Sequence, residues 1–131
     1  MANTILAVVE DLFFLSKIAQ TAQLLGLAVQ PTDPTQLKKQ ILEESPAAVV
    51  LDLNRRSVPA LEILRRLKAD PATTRTPVLG FVSHVQVDLI AAAREAGCDT
   101  VMARSAFTQQ LPQLLQKLAG TGAPRCQQTP E

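Results

Sequence analysis

The chain contains no tryptophan and no tyrosine, and four phenylalanines are its only large aromatic side chains. Recognition that stacks nucleic-acid bases on aromatic platforms is therefore disfavoured. Thirteen Lys and Arg against twelve Asp and Glu leave a formal net charge of +1, without the basic excess that a dominant phosphate-backbone interface requires. Two cysteines, Cys98 and Cys126, form neither a disulfide framework nor a metal-ligand spacing, which fits a reducing, cytoplasmic setting. No apolar run approaches the ~20 residues of a membrane-spanning helix. The opening Met1-Ala2-Asn3-Thr4 lacks the basic region of a signal peptide. What remains is apolar enough, at 47% hydrophobic residues, to exclude a disordered chain. Its 131 residues suit one domain with a sizeable core.

Short apolar runs alternate with longer amphipathic ones. Thr4–Val9 has the length and composition of a buried strand, and Leu12–Leu25 repeats apolar residues at helical spacing before Gly26 offers a stop. Leu27–Gln30 reads as a second strand. Asp33-Pro34-Thr35-Gln36 reads as a helix start, with an acidic cap, a proline in the first turn and a Gln three residues on. That helix ends near Glu44, before Pro46. Further strands are expected at Ala47–Leu51, Pro77–Val82 and Thr100–Ala103. Further helices are expected at Pro59–Lys68, Gln86–Ala96 and Phe107–Ala119. Residues 1–119 form one domain in this reading, and 120–131 a flexible tail rich in Gly, Pro, Gln and Thr. Little chain is then left for a second module.

Five βα units imply a three-layer α/β fold, a doubly wound parallel sheet with helices on both faces. The continuously apolar strands agree with a sheet covered on both sides. Ligands in such sheets sit beyond the carboxyl ends of the strands, near the switch in strand order. The residues at those ends are Glu10 and Asp11 after strand one, Asp52 and then Asn54 after strand three, Ser83 and His84 after strand four, and Arg104 after strand five. Clustered carboxylates repel unless they share a cation. Hard oxygen ligands suit Mg²⁺, and a carboxylate there can attack a phosphoryl group. Arg104 and the Ser83 hydroxyl would then meet the phosphoryl oxygens. Each residue also has a plainer role open to it. Glu10 and Asp11 favour a helix N-terminus, Asp52 forms a turn and Ser83 caps a helix. Cys98 reads as a small packing group and His84 as a surface residue.

This constellation resembles the receiver domain of bacterial two-component response regulators, over roughly Thr4–Ala119. Val8-Val9-Glu10-Asp11 is similar to that family's acidic pair, Val49-Val50-Leu51-Asp52-Leu53-Asn54 to its phosphoacceptor segment, and Ala96-Gly97-Cys98-Asp99 to the segment before its fifth strand. The resemblance implies a CheY-like, flavodoxin-like fold with strand order 2-1-3-4-5. It implies Asp52 as phosphoacceptor, Ser83 and Arg104 at the phosphoryl group, and Mg²⁺ held by Glu10, Asp11, Asp52 and the Asn54 backbone carbonyl. It also implies a sensor histidine kinase or phosphotransfer protein as donor, a downstream protein partner, and self-pairing through helix four, strand five and helix five. Neither direct nucleic-acid contact nor membrane contact is expected.

The sequence departs from the family's pattern in several places. Arg104 stands for the usual lysine, Ser105 for the proline after it, and Val101 for the switch aromatic. Arg55-Arg56 follow Asp52 where a hydrophobic residue and a proline are common, and Ala60 replaces a frequent glycine. With Ser105 in place of proline, a trans peptide and a reshaped loop are expected. A second reading follows: a phosphorylation-independent pseudo-receiver for protein interaction or dimerisation, in which Arg104 ion-pairs with Asp52. An enzyme on this architecture is disfavoured. An aspartate-nucleophile phosphatase needs a second acid where Asn54 stands. A flavodoxin-type phosphate loop is incompatible with Glu10-Asp11-Leu12-Phe13-Phe14.

Overall fold

A computed structural model describes residues 4–54, 60–82 and 87–121, with side chains to Lys117. Strands β1 (Thr4–Val8), β2 (Ala28–Pro31), β3 (Ala48–Asp52), β4 (Val78–Val82) and β5 (Thr100–Ala103) alternate with helices α1 (Leu12–Leu24), α2 (Pro34–Glu44), α3 (Ala60–Ala69), α4 (Val87–Glu95) and α5 (Arg104–Thr121). The strands form one parallel sheet in the order β2-β1-β3-β4-β5, which is the expected architecture. The sequence-based boundaries fall within a residue or two of these except at α5.

The chain's own punctuation explains most of these elements. Asp33 caps α2, its Oδ1 accepting the Thr35 and Gln36 amides at 2.8 and 3.2 Å, with Pro34 in the first turn. Helix α1 ends as Gly26 turns to φ +78°, with the Leu27 amide donating to the Ala22 carbonyl and the Gly26 amide to that of Gln23. Helix α4 ends in the same way at Gly97, φ +103°. These are the paired bonds of a Schellman stop, which needs a left-handed residue.

Two apolar layers sandwich the sheet. Ile5, Ala7, Val50, Leu79 and Phe81 pack under α1 and α5 against Phe14, Ile18, Phe107, Leu111 and Leu115. Leu6, Val8, Val49, Leu51, Val78 and Val82 pack on the other face against Leu37, Ile41, Ile63, Leu64 and Leu67. Each large side chain so buried stabilises the fold by roughly 1.5–3 kcal/mol before entropy is counted. Both faces being covered is why the strands carry no polar alternation.

Helix α5 departs from expectation. It starts at Arg104, directly after β5, and not at Phe107, so the reshaped loop expected around Ser105 is absent. A residue preceding proline is pushed out of the helical region, and Ser105 imposes no such restriction on Arg104. Arg104 and Ala106 are good helix formers, and the Thr108 hydroxyl donates to the Arg104 carbonyl at 2.9 Å. There is no cis peptide bond among the described residues. At its other end α5 reaches Thr121, so Gly120 and Thr121 are helical, and the rest of the expected tail lies outside the described residues. No helix among the described residues is long and apolar enough to cross a membrane.

Candidate functional site

The strand order places the switch between β1 and β3, and two of the expected residues flank it. Asp52 is the last residue of β3, in register with Phe81 of β4, and is half-buried. Its Oδ1 accepts the Asn54 amide at 2.9 Å, a turn bond that fixes the carboxylate at the mouth of the sheet. The Leu53 amide donates to the Phe81 carbonyl at 3.0 Å and ties the start of that turn to β4. Asp11 sits three residues past the last one paired between β1 and β3, Val8. Glu10 beside it is exposed.

Asp11 takes the plain role first. It caps α1, its Oδ1 accepting the Phe13 and Phe14 amides at 2.9 and 3.1 Å. Its Oδ2 accepts a bond from Arg104 Nη2 at 2.7 Å, an ion pair in which both side chains keep about a third of their surface exposed. The Arg104 guanidinium also lies over the Phe14 ring, 4.1 Å from its centroid. Thus the arginine's carboxylate partner is Asp11, and the expected Arg104–Asp52 pair is corrected accordingly. The position of α5 accounts for this. Side chains in a helix's first turn lean towards its N-terminus, which here faces the carboxyl ends of the strands. A cation at that end opposes the helix dipole, so Arg104 gains from a carboxylate brought in by another helix.

The Arg104 hydrogen bond, the cap amides and the arginine's charge together hold the Asp11 carboxyl below the ordinary aspartate range. Cys98 behaves as the packing group expected of it. Burial pushes its thiol up to about 11, far from the thiolate that nucleophilic chemistry needs.

Phe14 is the residue that sequence reading missed. It contacts Phe81, with ring centroids 4.7 Å apart and edge-on, and Phe107 at 6.0 Å; Phe81 and Phe107 are 5.4 Å apart. Three of the chain's four phenylalanines thus form a buried aromatic floor beneath the ion pair. Its signal was present in the spacing of Phe14, Ile18 and Ala22, one turn apart on the buried face of α1. The fourth, Phe13, is 90% exposed beside the same edge.

Ser83, His84, Arg55 and Arg56 lie outside the described residues. Among the described residues, no group of three or more His, Cys, Asp or Glu is gathered closely enough to hold a metal ion. Both Asp11 oxygens are engaged, by Arg104 and by the cap. This arrangement does not fit a metal bound among Glu10, Asp11 and Asp52.

No protein-family model matches the chain, and no curated protein matches it in sequence. Its fold is that of the response regulator receiver domains. One similar structure is a protein of Chloroflexus aurantiacus assigned as a response regulator, with TM-score 0.78 and 19% identity, covering 90% of this chain and 98% of that one. Another is the phosphorylated cyanobacterial phytochrome response regulator RcpA, with TM-score 0.73 and 19% identity, covering 97% and 98%. A third is the Mn²⁺-bound form of response regulator Rcp1, with TM-score 0.70 and 17% identity, covering 95% and 97%.

Proposed function

We propose that the protein is a receiver domain that accepts a phosphoryl group on Asp52 and signals by protein–protein contact. The carrying observation is the placement of Asp52. It closes a central strand at the sheet's switch point, half-buried, with one carboxylate oxygen fixed by the Asn54 amide. A carboxylate at such a strand end can act as a nucleophile toward phosphorus. In the transfer, an Asp52 oxygen forms a bond to phosphorus. The phosphorus–nitrogen bond of a phosphohistidine donor breaks, and its electron pair returns to the imidazole. A sensor kinase or phosphotransfer protein would supply that donor. Added charge at the carboxyl edge of the sheet would repel carboxylates there and attract Arg104, which gives the site a way to reorder α5. Ser83 is proposed to contact the phosphoryl oxygens. Such a domain carries a signal rather than turning over a substrate, and its setting is proposed to be cytoplasmic.

Two of the similar proteins bear on this reading, one as a phosphorylated form and one as a Mn²⁺-bound form. A divalent ion such as Mg²⁺ at the acidic edge would shield incoming phosphate from the carboxylates. Glu10, Asp11, Asp52 and the Asn54 carbonyl remain the proposed donors, but they would need rearrangement first. The Arg104–Asp11 pair supports a second reading, a phosphorylation-independent pseudo-receiver that binds a protein partner or its own copy.

One experiment separates the two. The protein is incubated with a small acyl-phosphate donor, with and without Mg²⁺, and its intact mass is followed beside that of Asp52→Ala. A phosphoryl adduct on the wild type that is missing from the variant supports transfer. No adduct on either supports the pseudo-receiver.

A further inference from the structure

The acidic edge of the sheet already holds a cation, and it is part of the chain. Arg104 reaches Asp11 across 93 residues of sequence at 2.7 Å, and its guanidinium rests on Phe14. Neither partner is easily moved. Phe14 is pinned by Phe81 and Phe107, and Arg104 is set by the start of α5 immediately after β5. The other oxygen of Asp11 holds the first amides of α1.

We infer that Arg104 is the resident counter-cation of this edge and competes directly with divalent metal for Asp11. A divalent ion needs oxygen ligands in tight octahedral geometry and gives up its waters reluctantly. To enter, it must draw Asp11 Oδ2 away from a hydrogen-bonded guanidinium that also loses its ring contact. With Arg104 in place, the Asp11 charge is already matched by a guanidinium nitrogen 2.7 Å from its Oδ2. Without it the Asp11 carboxylate faces the ion unmatched, and metal affinity rises. The coupling is reciprocal, so bound metal must loosen the Arg104–Asp11 contact by the same factor. The inference does not depend on whether Asp52 is phosphorylated.

Its test needs no phosphodonor. Mg²⁺ affinity is measured by calorimetry, and Mn²⁺ affinity by electron paramagnetic resonance, for wild type, Arg104→Gln, Arg104→Gln/Asp11→Asn and Arg104→Lys. Arg104→Gln should bind metal roughly tenfold more tightly, within the usual ~5–150-fold range of such couplings. The added Asp11→Asn should abolish that gain, and Arg104→Lys should fall between wild type and Arg104→Gln. Binding by Arg104→Gln with none detectable in wild type also supports competition. Equal or weaker binding by Arg104→Gln, or no binding by either, overturns it. Far-ultraviolet circular dichroism checks that each variant folds. Should Arg104→Gln fail to fold, the wild type carries the test. Its Arg104 Nε–Hε resonance should shift towards that of a free arginine as Mg²⁺ is added. Saturable Mg²⁺ binding that leaves this resonance in place, or no Mg²⁺ binding by either the wild type or Arg104→Lys, overturns the proposal.

Discussion

At the amino ends of the strands Lys68 meets Asp99, and at the carboxyl ends Arg104 meets Asp11. The two pairs use the same charges, yet they are built for different ends. Lys68 Nζ donates to the Thr74 carbonyl at 3.1 Å, the Thr76 carbonyl at 3.0 Å and Asp99 Oδ2 at 3.1 Å. Asp99 Oδ2 also accepts the amide of Val78, the first residue of β4, at 2.8 Å. All three donors of the lysine go to one polar clasp that joins α3, the turn before β4 and the turn before β5. Two of them end on backbone, which cannot exchange partners while the fold persists. At the carboxyl edge Arg104 holds a side chain and a ring. Side chains can be traded for a phosphoryl group, a metal or a partner. One end of the sheet is closed by its bonds, and the other is only neutralised by them.

The largest effect is expected beneath the carboxyl edge, where Phe81→Ala removes the ring on which Phe14 and Phe107 lean. A loss of about 3–5 kcal/mol in urea denaturation is expected, typical of a buried Phe truncation. A loss below 1 kcal/mol would mean that the aromatic floor is not packed as described. Next comes the amino end. Asp99→Ala strips the buried Val78 amide of its acceptor and the Lys68 ammonium of its partner, and about 1–3 kcal/mol should be lost. Asp11 changes should cost less than either. Asp11→Ala removes both a cap and an ion pair, whereas Asp11→Asn keeps a competent cap and loses only the charge. The Asn variant should therefore melt above the Ala variant. Equal melting temperatures would show that the cap contributes nothing.

Much of this was legible in the sequence, and the reasons are local. Asp33-Pro34-Thr35-Gln36 announced the start of α2 because capping acts within one turn. The five apolar runs announced a covered parallel sheet because burial on both faces erases alternation. The site was legible as a set of strand ends, since topology alone brings those ends to one edge. The choice between Asp11 and Asp52 as the partner of Arg104 was not legible. That contact spans 93 residues, and it depends on where α5 begins. The family resemblance suggested a loop after strand five, and replacing proline by Ser105 removed the constraint that keeps residue 104 out of a helix. The Lys68–Asp99 clasp was equally hidden, because nothing at 31 residues' separation marks it.

The most direct measurement is the pH titration of the Asp11 carboxyl by carbon-detected NMR, in wild type and in Arg104→Gln. Its folded-state pKa is held below the ordinary 3.8, chiefly by the Arg104 hydrogen bond. The stabilisation so gained is therefore fully present above the unfolded pKa and is lost as pH falls through the folded one, in the acid range below about pH 4. The wild-type midpoint is expected below the ordinary aspartate value and should rise towards it in Arg104→Gln, with part of the depression kept by the α1 amides. A wild-type midpoint at the ordinary value, or one that does not rise when Arg104 is replaced, would contradict an acidic edge neutralised by its own arginine.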